Sequence, residues 1–242
     1  MMMFNMPLDD YALIFSRSFL FTFAALLPLL NPPAVAPIFW SLTEGASTAT
    51  RVALAKRVAI NVALMLTVAM VAGNVLLSFF GISLPIVRVG GGLLVIASAW
   101  RLVNSPDGDT GRVAQMAEAF NPEMAKARAF YPLTFPISCG PGAIAAAITV
   151  GVSLRDGDHI ERLVRLAASL PGIVAVSVVL YACLRFAAQL LYRLGRNGTL
   201  VFMRLSAFIM LCLGIQIVWG GTQELLLELL QHTSPGVTTR LT

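Results

Sequence analysis

Apolar residues run in long stretches along this chain, separated by short polar turns. A helix needs about 20 apolar residues to cross the hydrocarbon of a bilayer. Six stretches meet that length: 11–43, 52–78, 84–103, 128–152, 163–190 and 198–222. Two of them are broken by proline pairs at one spacing. The first break reads Pro28-Leu29-Leu30-Asn31-Pro32-Pro33 and interrupts its stretch near 29–33. The second reads Pro136-Ile137-Ser138-Cys139-Gly140-Pro141 and interrupts its stretch near 136–141. Pro28 to Pro136 and Pro33 to Pro141 are each steps of 108 residues. Interrupted helices in corresponding positions of two halves mark a transporter binding site.

The same step carries Arg57 onto Arg165, and Arg88-Val89-Gly90-Gly91 has a counterpart in Arg204-Leu205-Ser206-Ala207. The pattern therefore predicts an all-α membrane protein of six transmembrane helices, with discontinuous first and fourth helices. Its parts are a first three-helix repeat (1–103), a polar connecting loop (104–127), a second three-helix repeat (128–222) and a C-terminal tail (223–242), forming one membrane domain. Three spans per half is an odd number, so the second repeat is expected to be inverted. The first stretch suits a bent full span or a re-entrant hairpin. In the tail, Glu224 and Glu228 lie in a leucine-rich run that extends the last helix along the membrane surface.

Composition agrees. Of 242 residues 57% are hydrophobic and 12% charged, against about 25% charged in soluble domains. The net charge of +5 fits loops facing anionic lipid rather than a nucleic-acid surface. One side of the predicted bundle carries Arg51, Lys56, Arg57, Arg101, Arg112, Lys126, Arg128, Arg185, Arg193 and Arg196. The other carries Arg17, Arg155, Arg162, Arg165 and Arg240. The positive-inside bias puts the richer side in the cytoplasm and both termini outside. Asp9 and Asp10 stand where a cleaved signal would be basic. Cys139, Cys183 and Cys212 lie in apolar stretches without metal spacing and read as small hydrophobes.

Proline is tolerated at the first position of a helix and not in its interior. Pro33 and Pro141 are therefore expected to begin second half-helices, with Asn31 and Gly140 as caps. Backbone donors at Ala34, Val35, Gly142 and Ala143 would face the gap, as would carbonyls of Leu27 to Leu30 and Thr134 to Ile137. Such groups are costly in lipid unless a ligand or cavity satisfies them. A zwitterion suits them, its carboxylate at a half-helix N-terminus and its ammonium among carbonyls. The expected substrate residues are Asn31, Pro32, Pro33, Ala34, Thr134, Ser138, Cys139, Gly140, Pro141 and Gly142.

Arg88 and Arg204, near the cores of the third and sixth helices, are expected to gate or to support structure. Asn61, Asn74 and Gln216 read as interhelical hydrogen-bond partners, and Gly90-Gly91-Gly92 as a close-packing face. No acidic residue falls in the centre of a span, which argues against an antiporter with a buried carboxylate. His159 and His232 lack ligand-spaced partners, so no metal or other cofactor is expected, and the coupling ion, proton or sodium, stays open. Asp156, Asp158, Glu161, Asp107, Asp109, Glu118 and Glu123 read as solvated loop charges.

The segments Leu27 to Pro32, Phe80 to Pro85 with Arg88 and Gly91-Gly92, Pro132-Leu133 with Pro136, Gly140 to Ile144, Gly195 to Gly198, and Arg204 to Gln216 together resemble the MarC family. These are six-span inner-membrane proteins, also described as SnatA-like neutral amino acid transporters. The resemblance covers roughly 13–222. It implies a bacterial inner-membrane protein and, from some members, transport of glycine or alanine. Where many relatives carry glycine after the first Asn-Pro pair, this chain has Pro33-Ala34, and Cys139 replaces a smaller residue. The expected function is alternating-access transport of small neutral amino acids in a lipid bilayer, with no nucleic-acid partner and a possible homo-oligomer. Alternatives are an exporter of drugs or metabolites, and a channel or structural membrane protein. An enzyme is not expected, because no nucleophile-elbow, zincin or paired-aspartate pattern occurs.

Overall fold

The computed structural model describes residues 8–104, 129–154 and 158–233. These are helical throughout, with no strand among them. The helices are α1 (Leu8–Leu30), α2 (Pro32–Leu42), α3 (Thr48–Phe79), α4 (Leu84–Val103), α5 (Ala129–Ser138), α6 (Pro141–Ser153), α7 (His159–Arg185) and α8 (Ala187–Thr233). Five are long and apolar enough to cross a membrane, and the bent pair α5–α6 has the length and apolarity of either a broken sixth span or a re-entrant loop. The predicted connection and the end of the tail, with Asp107, Asp109, Glu118, Glu123, Arg112, Lys126, Arg128, Arg155, Asp156 and Arg240, lie outside the described residues.

Local chemistry sets the boundaries. The Ser47 hydroxyl accepts from the Thr50 N–H at 3.2 Å and starts α3. The α2–α3 turn is fixed by Arg51, whose Nε and Nη2 donate to the Thr43 carbonyl at 3.1 and 3.0 Å while its guanidinium lies 3.7 Å from the Trp40 ring centre. Pro85 stands in the first turn of α4, whose bounds match the predicted 84–103. Two boundaries differ from expectation. The fifth predicted stretch ends early, at Arg185. The helical run that follows, Ala187–Thr233, is kinked at Gly195, and its membrane-crossing part, Asn197–Leu230, starts where the sixth stretch was expected and runs past its expected end. Gly195, at φ 64° and ψ 179°, kinks the chain between two helical segments in a conformation essentially confined to glycine. Glu224 and Glu228 therefore sit on α8.

Packing exchanges partners between the halves. α1 and α2 lie against α7, and α2 also against α8; α5 and α6 lie against α3, and α6 also against α4; α3 packs against α7 as well, and α1 against α6. α4 and α8 make the most extensive contact. Lipid gives helices no hydrophobic drive to associate, so close approach of small residues decides which pairs lock. A Cβ at Gly92 would stand 2.7 Å from Val218 and 3.0 Å from the Gly214 carbonyl oxygen, and one at Gly214 would stand 3.0 Å from the Ile96 nitrogen. These contacts run antiparallel along α4 and α8. Gly91 faces Ala145, Gly142 faces Val95, Gly73 faces Ile148 and Gly151 faces the Met70 carbonyl, locking α6 onto α4 and α3. Gly172 locks α7 onto α1 at Thr22 and the Phe19 carbonyl. Of the glycine triplet, Gly91 and Gly92 pack as expected, while Gly90 faces open space.

Candidate functional site

The two breaks differ in chemistry. At the first, one residue separates the helices. Asn31 takes φ 44°, ψ 56°, a left-handed conformation that asparagine tolerates better than most residues. Pro32, not Pro33, opens α2, and Pro33 follows it. Neither carries an N–H. The Asn31 N–H donates to Leu27 O at 3.2 Å, and Ala34 and Val35 donate to Asn31 O at 3.0 and 3.1 Å. The expected donors at Ala34 and Val35 are thus spent within the turn. What the break frees is carbonyls. Pro28 and Leu29 would have bonded to residues 32 and 33, both prolines, and the Ala34 N–H that would have served Leu30 goes to Asn31. The first break is an acceptor.

The second break is the reverse. α5 and α6 meet at a 70° bend. Tyr131 and Phe135 are extended (φ −119°, ψ 123° and φ −117°, ψ 128°) because each precedes a proline, which disfavours the helical region. Hydroxyls close the wide turns so formed: Thr134 Oγ1 donates to Ala129 O at 2.6 Å and Ser138 Oγ to Leu133 O at 2.7 Å. Asn61 on α3 donates to Thr134 Oγ1 at 3.3 Å. Thr134 and Ser138, both expected to line the site, are buried and brace α5. Cys139 is fully buried and its N–H is taken by Thr134 O at 2.8 Å. Pro141 removes one donor at the start of α6, and Ala143 and Ile144 donate to Gly140 O at 3.0 and 3.2 Å. The N–H groups of Gly140 and Gly142 find no backbone acceptor. The second break is a donor.

Leu29, Leu30, Val35, Cys139 and Ala143 belong to one buried cluster, and α2 touches α5. Asn31 is buried, with Nδ2 4.0 Å from Met210 Sδ on α8. Three cavities are found among the described residues, and none of these three is lined by any of the ten expected substrate residues. One of about 340 Å³ is lined by Arg17, Ser18 and Phe21 of α1, Ser153 of α6 and Arg165 of α7. One of about 280 Å³ is lined by Phe21 and Leu29 of α1, Arg88 of α4, Thr149 of α6 and Gln216 of α8. One of about 460 Å³ lies between Lys56 and Ala63 of α3 and Ser177 and Tyr181 of α7. All three separate the α1–α7 pair from the α3, α4, α6 and α8 group. No glycine lock crosses that seam.

Arg88 is the fifth residue of α4, about 6 Å in from the helix start at ~1.5 Å per residue, and not near its centre as expected. It pairs with Glu224, a partner 136 residues away that spacing does not reveal. Arg204 is exposed on α8. Thr149, which lines the cavity beside Arg88, was missed by the sequence reading. The signal that finds Thr149 is its position one helical face along from Ala145 and Ala146 on α6.

No solved structure matches the chain. The inner membrane protein MarC of Salmonella typhimurium and that of Salmonella paratyphi B are each 30% identical to it over 203 residues, 83% of this chain and 92% of theirs. That of Citrobacter koseri is also 30% identical over the same share. The model of the MarC family of integral membrane proteins matches residues 16–226, and the chain belongs to that family.

Proposed function

We propose that this protein carries small neutral amino acids of the glycine and alanine type across the membrane by alternating access. The observation that carries the reading is the opposite chemistry of the two breaks. Freed carbonyls at Pro28 to Leu30 suit an ammonium, and the unpaired N–H groups of Gly140 and Gly142 suit a carboxylate. Both contribute to one buried cluster, so the state described here is closed around them. The exchanged packing of the halves supports an inverted repeat, and the seam supports rocking of one helix group against the other. We read the protein as a transporter and not an enzyme, with both termini outside the cytoplasm.

The test is thermal stabilisation of detergent-purified protein across amino acids and hydrophobic cations. A ligand at 100 times its Kd adds about 2.7 kcal/mol to the folded state. A shift with glycine or alanine that is lost in Gly140→Leu, followed by saturable counterflow in proteoliposomes, supports the reading. A shift with hydrophobic cations alone turns it to an exporter, and flux without saturation turns it to a channel.

A further inference from the structure

We propose that the cavity of about 280 Å³ beside Arg88 is an access site for the carboxylate end of the transported zwitterion, on the route to the breaks. The proposal rests on the transport reading above.

The guanidinium is held in a half-used state. Its Nη1 donates to Glu224, while its Nε is buried with no partner. Nε and Nη2 form the side-on fork of an arginine, which matches the two oxygens of a carboxylate. Glu224 takes Nη1, which lies outside that fork. A buried donor left unpaired is costly, so a ligand that fills the fork gains what the resting protein forgoes. The rest of the cavity supplies acceptors. Thr149 donates its proton to Ala145 O at 3.0 Å, which leaves its hydroxyl oxygen to accept, and Gln216 offers a side-chain carbonyl. A fork for a carboxylate and acceptors for an ammonium face one small space. Its volume falls below the range of about 300–1,000 Å³ of pockets for drug-sized molecules.

Position makes it an access site and not the end of the path. Leu29, whose carbonyl the first break frees, lines the cavity at one end. Phe21 lines it at the other and also lines the cavity that holds Arg17 and Arg165. Along α1 the lining runs Ile14, Arg17 and Ser18, Phe21, Ala24 and Ala25, then Leu29. That is one face of the helix, at three- and four-residue steps. Ala146, Thr149, Val150, Ser153 and Leu154 make the matching face of α6. The two cavities are therefore successive parts of one groove, with cationic groups along it and Phe21 between them.

Glu224 competes for the same guanidinium, so the variants Arg88→Lys and Glu224→Gln are expected to act in opposite directions. Lysine keeps the ion pair and loses the fork, so the KM for glycine counterflow rises about 10- to 100-fold, with the maximal rate little changed. Wild-type discrimination between glycine and glycinamide is lost with it. Glutamine at 224 leaves the full guanidinium charge to the ligand, so the KM falls. A purely structural ion pair predicts otherwise: lysine rescues, and Glu224→Gln weakens the protein. An unchanged KM in Arg88→Lys, or a raised KM in Glu224→Gln, overturns the access site while wild-type counterflow keeps the transport reading intact. If Arg88→Lys does not fold, the direction of the Glu224→Gln change decides. Absence of counterflow for any amino acid in wild-type protein overturns the transport reading, and the access site with it.

Discussion

Replacing Gly151 by alanine tests whether the glycine locks hold the bundle. Gly151 lies on α6, two residues before its end, and faces α3. A Cβ there would overlap the Met70 carbonyl oxygen, with the Met70 carbonyl carbon 2.9 Å and its Cγ 3.0 Å away. A backbone oxygen cannot rotate aside, so relief requires α6 and α3 to separate. One turn along, the same separation would open the contact of Gly73 with Ile148. Overpacking costs about 1–3 kcal/mol, and a backbone clash belongs at the upper end. The better helix propensity of alanine returns about 1 kcal/mol. The net expectation is a loss of about 1–2 kcal/mol. Gly90→Ala is the internal control. Nothing lies within 4 Å of its Cβ, so only propensity acts, and a gain of about 0.5–1 kcal/mol is expected. Reversible unfolding in mixed micelles with rising dodecyl sulfate measures both. A Gly151→Ala protein as stable as wild type, or a Gly90→Ala protein that loses stability, refutes the lock.

Other substitutions probe the breaks and the seam. Thr134→Val removes the donor to Ala129 O and the acceptor for Asn61, so a loss of about 1–2 kcal/mol is expected, with Thr134→Ser restoring most of it in the same unfolding assay. Asn31→Gly keeps the left-handed turn and should leave stability near wild type, whereas Asn31→Ala should lose about 1–2 kcal/mol. A reducible linker between cysteines introduced at Ala63 and Val178, which line one cavity across the seam, should stop counterflow in a protein otherwise free of cysteine, and reduction should restore it. Flux that persists in the linked protein means the seam does not move. An alkaline phosphatase fused after Thr242 should be active if the C-terminus lies outside, and inactive if the orientation is reversed.

The outline of the fold was legible in the sequence because membrane spans are written in length and apolarity. The 84–103 helix was predicted to the residue, since a serine and a proline mark its start. The breaks were visible where prolines cluster, at Pro32-Pro33 and at Pro136 with Gly140-Pro141, whereas the single prolines Pro37 and Pro171 lie inside unbroken helices. The hydrogen bonding at the breaks was not visible. The spending of the Ala34 and Val35 donors depends on Asn31 turning left-handed, and the bracing hydroxyls of Thr134 and Ser138 depend on turns too wide for helical counting. The Arg88–Glu224 pair was illegible because the acid reads as part of a leucine-rich run along the membrane surface, with nothing to place it against α4. Only the run of α8 past Gly221 brings it against α4, where Gly221 itself approaches the Pro85 carbonyl to 2.7 Å at its Cβ position.

The placement of unpaired polar atoms gives the seam a physical reason to open. Among the described residues three buried side-chain atoms lack partners: Arg88 Nε, Arg162 Nε and Ser177 Oγ. Arg88 lines the cavity between α1 and the α4–α6–α8 group, and Ser177 lines the cavity between α3 and α7. Both therefore line the seam, although the Arg88 stem also packs against Gly221 on α8. A polar group left dry costs about 1–3 kcal/mol, and water or a ligand entering the seam returns it. Opening α6 from α3 would return nothing of the kind, and opening either that pair or α4 from α8 would break close contacts across glycine. The seam is thus the line that serves both polar groups at no cost in glycine contacts. A helix group that moves along that line keeps every glycine lock intact while exposing Arg88, the Leu29 carbonyl and, beyond them, the two breaks.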